Sequence, residues 1–218
     1  MDLTGFDWGN TSEGFINQNN TEIFQESIYE KFFQVEENDI VVDLGASVGP
    51  FTYSIQNKKP KHCYTVEPLT PHINTINKNL SQFPVTIIHA AITDKKKIKI
   101  SWGGYEEYPQ TLSFEEFRTN YNVDKIDFLK VDCEGGEYDV FSEDNIHFLK
   151  TVPKIVTEFH LHGYVGKAKF KEFRNNILSN FTNYEVHAVD GIDIKWDLWN
   201  EHFIEYYNEV IIHINNKK

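Results

Sequence analysis

Asp39-Ile40-Val41-Val42-Asp43-Leu44-Gly45-Ala46-Ser47-Val48-Gly49-Pro50-Phe51-Thr52 is the stretch whose reading decides the fold. Its first half is an apolar, β-branched run of the kind that forms a strand buried on both faces. Its second half is a turn of small residues with a proline after the last glycine, which suits the opening of a helix. Small residues let the backbone turn tightly and let a ligand approach it. The spacing is Gly-x-x-x-Gly rather than Gly-x-Gly-x-x-Gly, and Ser47 stands at the middle glycine's place, which argues against a dinucleotide.

Outward from this stretch, the strand-like runs recur: His62–Val66, Val85–His89, Ile126–Val131 and Lys154–His160, then Tyr184–Val189 and Glu209–Ile214. Helix signals alternate with them. Thr70-Pro71 predicts an N-cap and a helix through Leu80. Ser113 with Glu116 forms a capping-box pattern. Helices are also expected near Glu137–Leu149, over Phe170–Leu178 and, amphipathically, near Glu22–Phe33. Strands alternating with helices imply a doubly wound α/β sheet. The chain of 218 residues reads as one domain, with residues 1–38 an N-terminal extension and 39–218 the Rossmann-like core.

An acid ends the second strand. Glu67, 18 residues after Gly49, is placed to accept the hydroxyls of a ribose. Asp43, on the other side of the turn, is placed to face a cationic amino group. Two carboxylates around a small-residue turn suit S-adenosylmethionine, with its amino acid, ribose and positive sulfur. A nicotinamide-dependent oxidoreductase and an inactive cofactor-binding partner protein are the alternative readings.

The runs Asp43–Thr52, Val66-Glu67-Pro68, Ala90-Ala91-Ile92-Thr93-Asp94 and Lys130-Val131-Asp132-Cys133-Glu134-Gly135-Gly136-Glu137 resemble the FkbM family of S-adenosylmethionine-dependent methyltransferases. The resemblance spans roughly residues 39–162, and Lys-x-Asp-x-Glu-Gly-x-Glu is its most specific part. It implies a class I methyltransferase fold with a mostly parallel seven-stranded sheet, helices on both faces and an antiparallel last strand. It also implies methyl transfer mostly to hydroxyl oxygens. By position, Asp43, Gly45, Ala46, Ser47, Gly49 and Phe51 would shape the cofactor turn. Glu67 and Pro68 would meet the ribose, and Ala91 and Ile92 would flank the adenine. Ser47, Cys133 and Gly136 depart modestly from the family's usual residues, and none of these changes removes a charged group.

Alternation along strands places Asp132 with Glu134, and Glu158 with His160, on common sides. If the two strands are neighbours, the four meet beside the turn. They are the candidate catalytic groups, through substrate hydrogen bonds or as a general base such as His160. These residue types can also hold a divalent ion, but no metal is assigned.

The balance of 21 Lys+Arg against 33 Asp+Glu gives a net charge of −12, which disfavours nucleic acid or an anionic membrane as partner. A small-molecule or glycan acceptor is expected, and the oligomeric state is open. Two cysteines make no disulfide framework, and the sequence shows no signal peptide or membrane span, so a cytoplasmic setting is the expectation. Most of the excess acid lies in residues 1–38 and 191–209. Asp197, Glu201, Glu205 and Glu209 recur every four residues, predicting an acidic helical stripe with Trp196, Trp199, Phe203 and Tyr206 or Tyr207 behind it. That acid is either a solvated face or the border of an acceptor entrance that rejects anions. Lys95-Lys96-Lys97 reads as a solvated turn, and Trp102-Gly103-Gly104-Tyr105 as a glycine loop or a mobile aromatic cover.

Overall fold

Val41, Val42, Asp43 and Leu44 have no exposed surface, so the strand they form needs a pairing partner on each edge and a covering layer on each face. The computed structural model, which describes residues 5–102 and 104–217, supplies both. Strand β1 (Ile40–Leu44) is followed by β2 (His62–Glu67), β3 (Val85–His89) and β4 (Phe128–Val131). Then come β5 (Lys154–His160), β6 (Tyr184–His187) and β7 (Glu209–Asn215). They form one seven-stranded sheet in the order β6-β7-β5-β4-β1-β2-β3. All neighbours are parallel except β7, which runs antiparallel to both β5 and β6. The expected α/β class and antiparallel last strand are therefore present.

Helices occupy the connections. Among them are α1 (Glu13–Asn19), α2 (Pro50–Ser54), α3 (Thr70–Leu80) and α4 (Phe114–Asn120). Ser113 accepts from the Glu116 amide at 3.0 Å and Glu116 accepts from the Ser113 amide at 2.8 Å, completing the capping box. Thr70 is not the cap of α3. Leu69 takes that place, and the Thr70 hydroxyl donates instead to Glu107 at 2.9 Å. The stretch expected as one helix over Glu137–Leu149 is two short ones, α5 (Glu137–Val140) and α6 (Ile146–Leu149). Asn145 breaks it by turning its side-chain amide back onto the carbonyls of Asp139 and Val140. The next helix starts earlier than expected, as α7 (Gly163–Glu172), and continues as tighter and wider turns to Asn180.

The N-terminal extension departs most from expectation. Its helix begins at Glu13, capped by Ser12, and widens into a π-turn over Asn20–Gln25. It stops at Ser27, whose φ of +52° is left-handed. That kink sends Ile28 and Tyr29 into the core, where Ile23, Ile28, Tyr29 and Val35 pack with Val41, Phe51 and Phe128 on one sheet face. The extension thus supplies a covering layer of the sheet rather than an appendage.

The acidic stripe is not a helix. Only Phe203–Tyr206 is helical, and Glu209 already belongs to β7. Glu201 instead meets Lys171 and Arg174, and Glu205 lies 3.8 Å from Lys167, so the acids lean on basic residues of α7 and its extension. Trp196 is 90 % exposed, and of the expected aromatics Tyr207 packs against the core, which Ile194, Leu198 and Ile204 fill. The side chains of Trp102, Tyr105 and Phe203, and Gly103 itself, lie outside the described residues, as does the start Met1–Thr4 on which the leader reading rests. Among the described residues no helix is long and apolar enough to cross a membrane.

Candidate active site at the carboxyl edge of the sheet

The turn after β1 is closed by its own backbone. Gly45 and Ala46 both donate to the Val66 carbonyl at 3.0 Å, Gly49 donates to Ala46 at 2.8 Å, and Ser47 donates to a Glu67 oxygen at 2.9 Å. A pyrophosphate needs free amides of this kind, and these four are taken. Gly45 has φ +78°, and a Cβ there would lie 1.6 Å from the Asp132 carbonyl oxygen. That glycine is what lets the ends of β1 and β4 touch.

Glu67 is 4 % exposed and also accepts from the Leu69 amide at 3.0 Å, with His72 Nδ1 at 3.0 Å. A carboxylate has about four acceptor positions, so one remains for a ligand. Pro68 follows it on the same edge, its carbonyl 2.9 Å from His89 Nε2. The Ser47 hydroxyl is buried without a partner among the described residues. Ala91 and Ile92 are buried just past β3, and a Cβ on Gly136 would come within 2.9 Å of the Ile92 carbonyl.

Two of the assigned turn residues face elsewhere. Asp43 has no exposed surface; it accepts from Thr52 at 2.8 Å and lies 3.2 Å from Lys130 Nζ, so its cation is internal. Phe51 stacks on Phe128 and meets Tyr29 edge-on, as core. The reason is register. A side chain inside a doubly covered strand, or on the inward face of the following helix, cannot turn toward the sheet's edge.

The four expected catalytic groups do come together, because β4 and β5 are neighbours with Val131 opposite Thr157. His160 Nε2 lies 3.5 Å from Glu134 and 3.9 Å from Asp132. Its Nδ1 is 3.0 Å from Glu137, whose buried carboxylate also accepts from the amides of Cys133 at 2.7 Å and Gly135 at 2.9 Å. Glu137 therefore ties the turn after β4 to β5. Burial pulls the His160 pKa down, but the hydrogen bond and charge of Glu137, with Asp132 and Glu134, more than reverse this and carry it up to about 10. At neutral pH His160 is an imidazolium, so it is a charged clamp rather than the base expected of it. Ligand-type atoms of Glu134, His160 and His162, and of Asp132, Glu137 and His160, lie within 4.8 Å of one another. The second set is committed, since Glu137 is occupied by the turn.

Two residues of the site were given no role in the sequence reading. Tyr29 places its hydroxyl 3.0 Å from Asp132 Oδ2 and 3.1 Å from Glu158 Oε2. One phenolic proton cannot serve two ionised carboxylates, and burial, then the charge of Asp132, pushes Glu158 up to about 8. Glu158 therefore holds its own proton at neutral pH. Nothing local to Tyr29 announces this, since its partners lie more than a hundred residues away. The second is Lys130, 3.4 Å from Asp132, 3.2 Å from Asp43 and donating to the Gly45 carbonyl at 3.0 Å. Burial disfavours its charge, but Asp43 and Asp132 hold its pKa above the ordinary value. Its position two residues before Asp132 on one strand was the available signal.

Solved structures of similar fold include an rRNA methylase from Streptococcus thermophilus (TM-score 0.53, 10 % identity, covering 84 % of this chain and 90 % of that one). A precorrin-6y C5,15-methyltransferase from Geobacter metallireducens has a TM-score of 0.50 at 14 % identity, covering 96 % and 95 %. An rRNA-methylase described as putative, from Clostridium thermocellum, also gives 0.50, at 11 % identity over 94 % and 98 %. At such identities the likeness speaks for the fold alone. No curated protein matches the sequence. The model of the methyltransferase FkbM domain matches residues 33–185, a stretch that holds the glycine turn, Glu67, the Lys130–Glu137 run and the β5 residues Glu158 and His160. With that match over most of its length, the chain belongs to the FkbM methyltransferase family.

Proposed function

We propose that the protein methylates a hydroxyl oxygen of a neutral carbohydrate or similar polyhydroxyl molecule, with S-adenosylmethionine as donor. The observation that carries this reading is Asp132, whose side chain is 23 % exposed and lies between two cations at the mouth of the edge. Its Oδ2 is held by Tyr29 and Lys130, which leaves Oδ1, on the His160 side, to receive a proton from an acceptor hydroxyl. Glu158, already protonated, does not compete for that proton. Lys130 and His160 keep the Asp132 carboxylate fixed, so most of the chain's contribution is positioning.

S-adenosylmethionine, when bound, supplies an electrophilic methyl group on a positive sulfur. The residues to hold it are the turn Gly45, Ala46, Ser47 and Gly49, with Glu67, Pro68, Ala91 and Ile92. They fit such a group: the Ser47 hydroxyl has no partner among the described residues, Glu67 keeps an acceptor position, and the turn's paired amides suit a ligand without phosphates. The net charge of −12 supports a neutral acceptor over an anionic one.

Titration calorimetry with S-adenosylmethionine and S-adenosylhomocysteine tests the donor; absence of binding by both up to high micromolar concentration overturns it. Transfer of labelled methyl to neutral methyl glycosides tests the acceptor class, and equal transfer to phosphorylated sugars overturns the preference for neutral ones.

A further inference from the structure

Glu134, His160 and His162 meet at the mouth of the edge, from the turn after β4, the end of β5 and the residue that caps α7. A ligand-type atom of each lies within 4.8 Å of the other two. His160 is 6 % exposed, and its ring is fixed from behind. Its Nδ1 lies 3.0 Å from Glu137, which two backbone amides hold in turn. A carboxylate behind one ring nitrogen is the usual support of a metal-bound histidine, and it leaves the other nitrogen as the ligand. That nitrogen, Nε2, stands 3.5 Å from a Glu134 oxygen and makes no hydrogen bond among the described residues. The separation is long for a hydrogen bond, whose usual length is about 2.9 Å. It matches two ligands on one tetrahedral ion, which at bond lengths of about 2.1 Å stand about 3.4 Å apart. The two imidazole rings have centroids 5.6 Å apart, close to the roughly 5 Å of two rings on one such ion.

We infer that Glu134, His160 and His162 bind a divalent transition-metal ion, with zinc as the best match, and that its open position holds a hydroxyl of the acceptor. Two imidazoles and one carboxylate suit zinc, whereas magnesium and calcium take oxygen ligands. Three protein ligands with a fourth position open are the make-up of a zinc site that meets a substrate. Buried His160 is the fixed point of the three. Glu134 and His162 are exposed, so both can close around the ion without disturbing the core. Asp132 stands 3.9 Å from His160 and Glu209 stands 3.5 Å from His162, so two further negative charges face a cation placed here.

The ion takes the place of the proton that Nε2 otherwise carries, so its binding releases one proton and keeps positive charge beside Asp132. Asp132 is not a ligand, and its Oδ1 stays free to receive the acceptor's proton. A hydroxyl on the ion is held beside that carboxylate, which is the orienting role of a metal. Only the naming of the hydroxyl as the acceptor's rests on the methyl-transfer reading.

Calorimetry of zinc chloride, and of magnesium chloride, into the chelator-treated full chain tests the site on wild type, Glu134→Ala and His162→Ala. Both side chains are exposed, so neither variant opens a void in the core. We expect one zinc per chain in the wild type, at least a tenfold weaker zinc affinity in each variant, and magnesium at least a hundredfold weaker than zinc. Absence of zinc binding by the wild type up to high micromolar concentration, unchanged zinc affinity in either variant, or magnesium binding as tight as zinc overturns the inference. Saturation-transfer NMR with neutral methyl glycosides reads the open position: zinc should strengthen their binding at least tenfold, and binding indifferent to zinc overturns the hydroxyl assignment. If zinc binds as expected while S-adenosylhomocysteine does not, the methyl-transfer reading falls and the metal site stands; the opposite pair of results removes the metal site alone.

Discussion

The turns after β1 and β4 leave neighbouring parallel strands on the same edge and touch through Gly45 and Asp132, yet they are built in opposite ways. In the first, amide after amide is satisfied by Val66, Ala46 and Glu67, and the charges of Asp43 and Lys130 are turned inward. In the second, Glu137 satisfies the amides of Cys133 and Gly135, while Asp132 and Glu134 are left at the surface around a charged His160. The first turn offers a shape, and the second offers charges whose protonation states are set by neighbours. A ligand that spans both meets a rigid side and a titratable side.

The sharpest way to break this comparison is to place a methyl group in each turn. Gly45→Ala sets a Cβ against the Asp132 carbonyl, and we expect a loss above about 4 kcal/mol, enough to abolish folding. Gly135→Ala, at φ +103° with open space around it, is expected to cost only about 1–2 kcal/mol of backbone strain. Denaturant unfolding reads both; similar losses would show that the turns are equally packed.

Lys130→Met removes the cation shared by the two turns and strands Asp43 without exposure to water. A loss of about 3–5 kcal/mol is expected, by the same unfolding measurement. Little change would mean that Asp43 is accommodated as a neutral acid.

Tyr29→Phe isolates the second turn. It deletes the hydroxyl between Asp132 and Glu158 and keeps the ring packed on Phe51. Turnover is expected to fall about tenfold, or about 1.4 kcal/mol of barrier, with S-adenosylhomocysteine affinity unchanged. A weakened cofactor affinity at constant turnover would move Tyr29 to the other side of the site.

A further effect is in the pH dependence of stability. Glu158 is raised to about 8 and His160 to about 10, each above its unfolded value. Folding is therefore favoured by their protonated forms, and that contribution is full below each unfolded pKa and is lost as pH rises through the folded one. Their part of the stability should decline from about pH 5 to pH 8 for Glu158, and from about pH 6.5 to pH 10 for His160. In a series of melting temperatures, Glu158→Gln should flatten the first window and leave the second. An unchanged slope between pH 5 and 8 would show that Glu158 is ionised throughout.

Much of the frame was legible because it is local. The apolar runs gave the strands, the Ser113–Glu116 pattern gave a capped helix, and the Lys130–Glu137 motif marked the edge where Asp132, Glu134, Glu158 and His160 meet. The misses were of direction and distance. Asp43 and Phe51 were assigned to the ligand side because a motif gives position along the chain, while burial on both faces decides where a side chain points. His160 was one candidate base, beside a carboxylate of raised pKa, because its type suggests one; three surrounding carboxylates make it a cation instead. The acidic spacing of residues 197–209 imitated a helix, but pairing with Lys167, Lys171 and Arg174 holds that segment against α7 in another shape.

By itself, the sequence determined the α/β alternation, the absence of a dinucleotide-type glycine pattern and the family's acidic run, since each depends on residues within a few positions of one another. Only the tertiary structure decided that Tyr29 joins Asp132 to Glu158, that Lys130 neutralises Asp43, and that His213 meets the Ile28 carbonyl. Those relations cross as many as 185 residues of chain, and their energies arise from burial, which removes water as the competing partner and lets a neighbour fix where each proton sits.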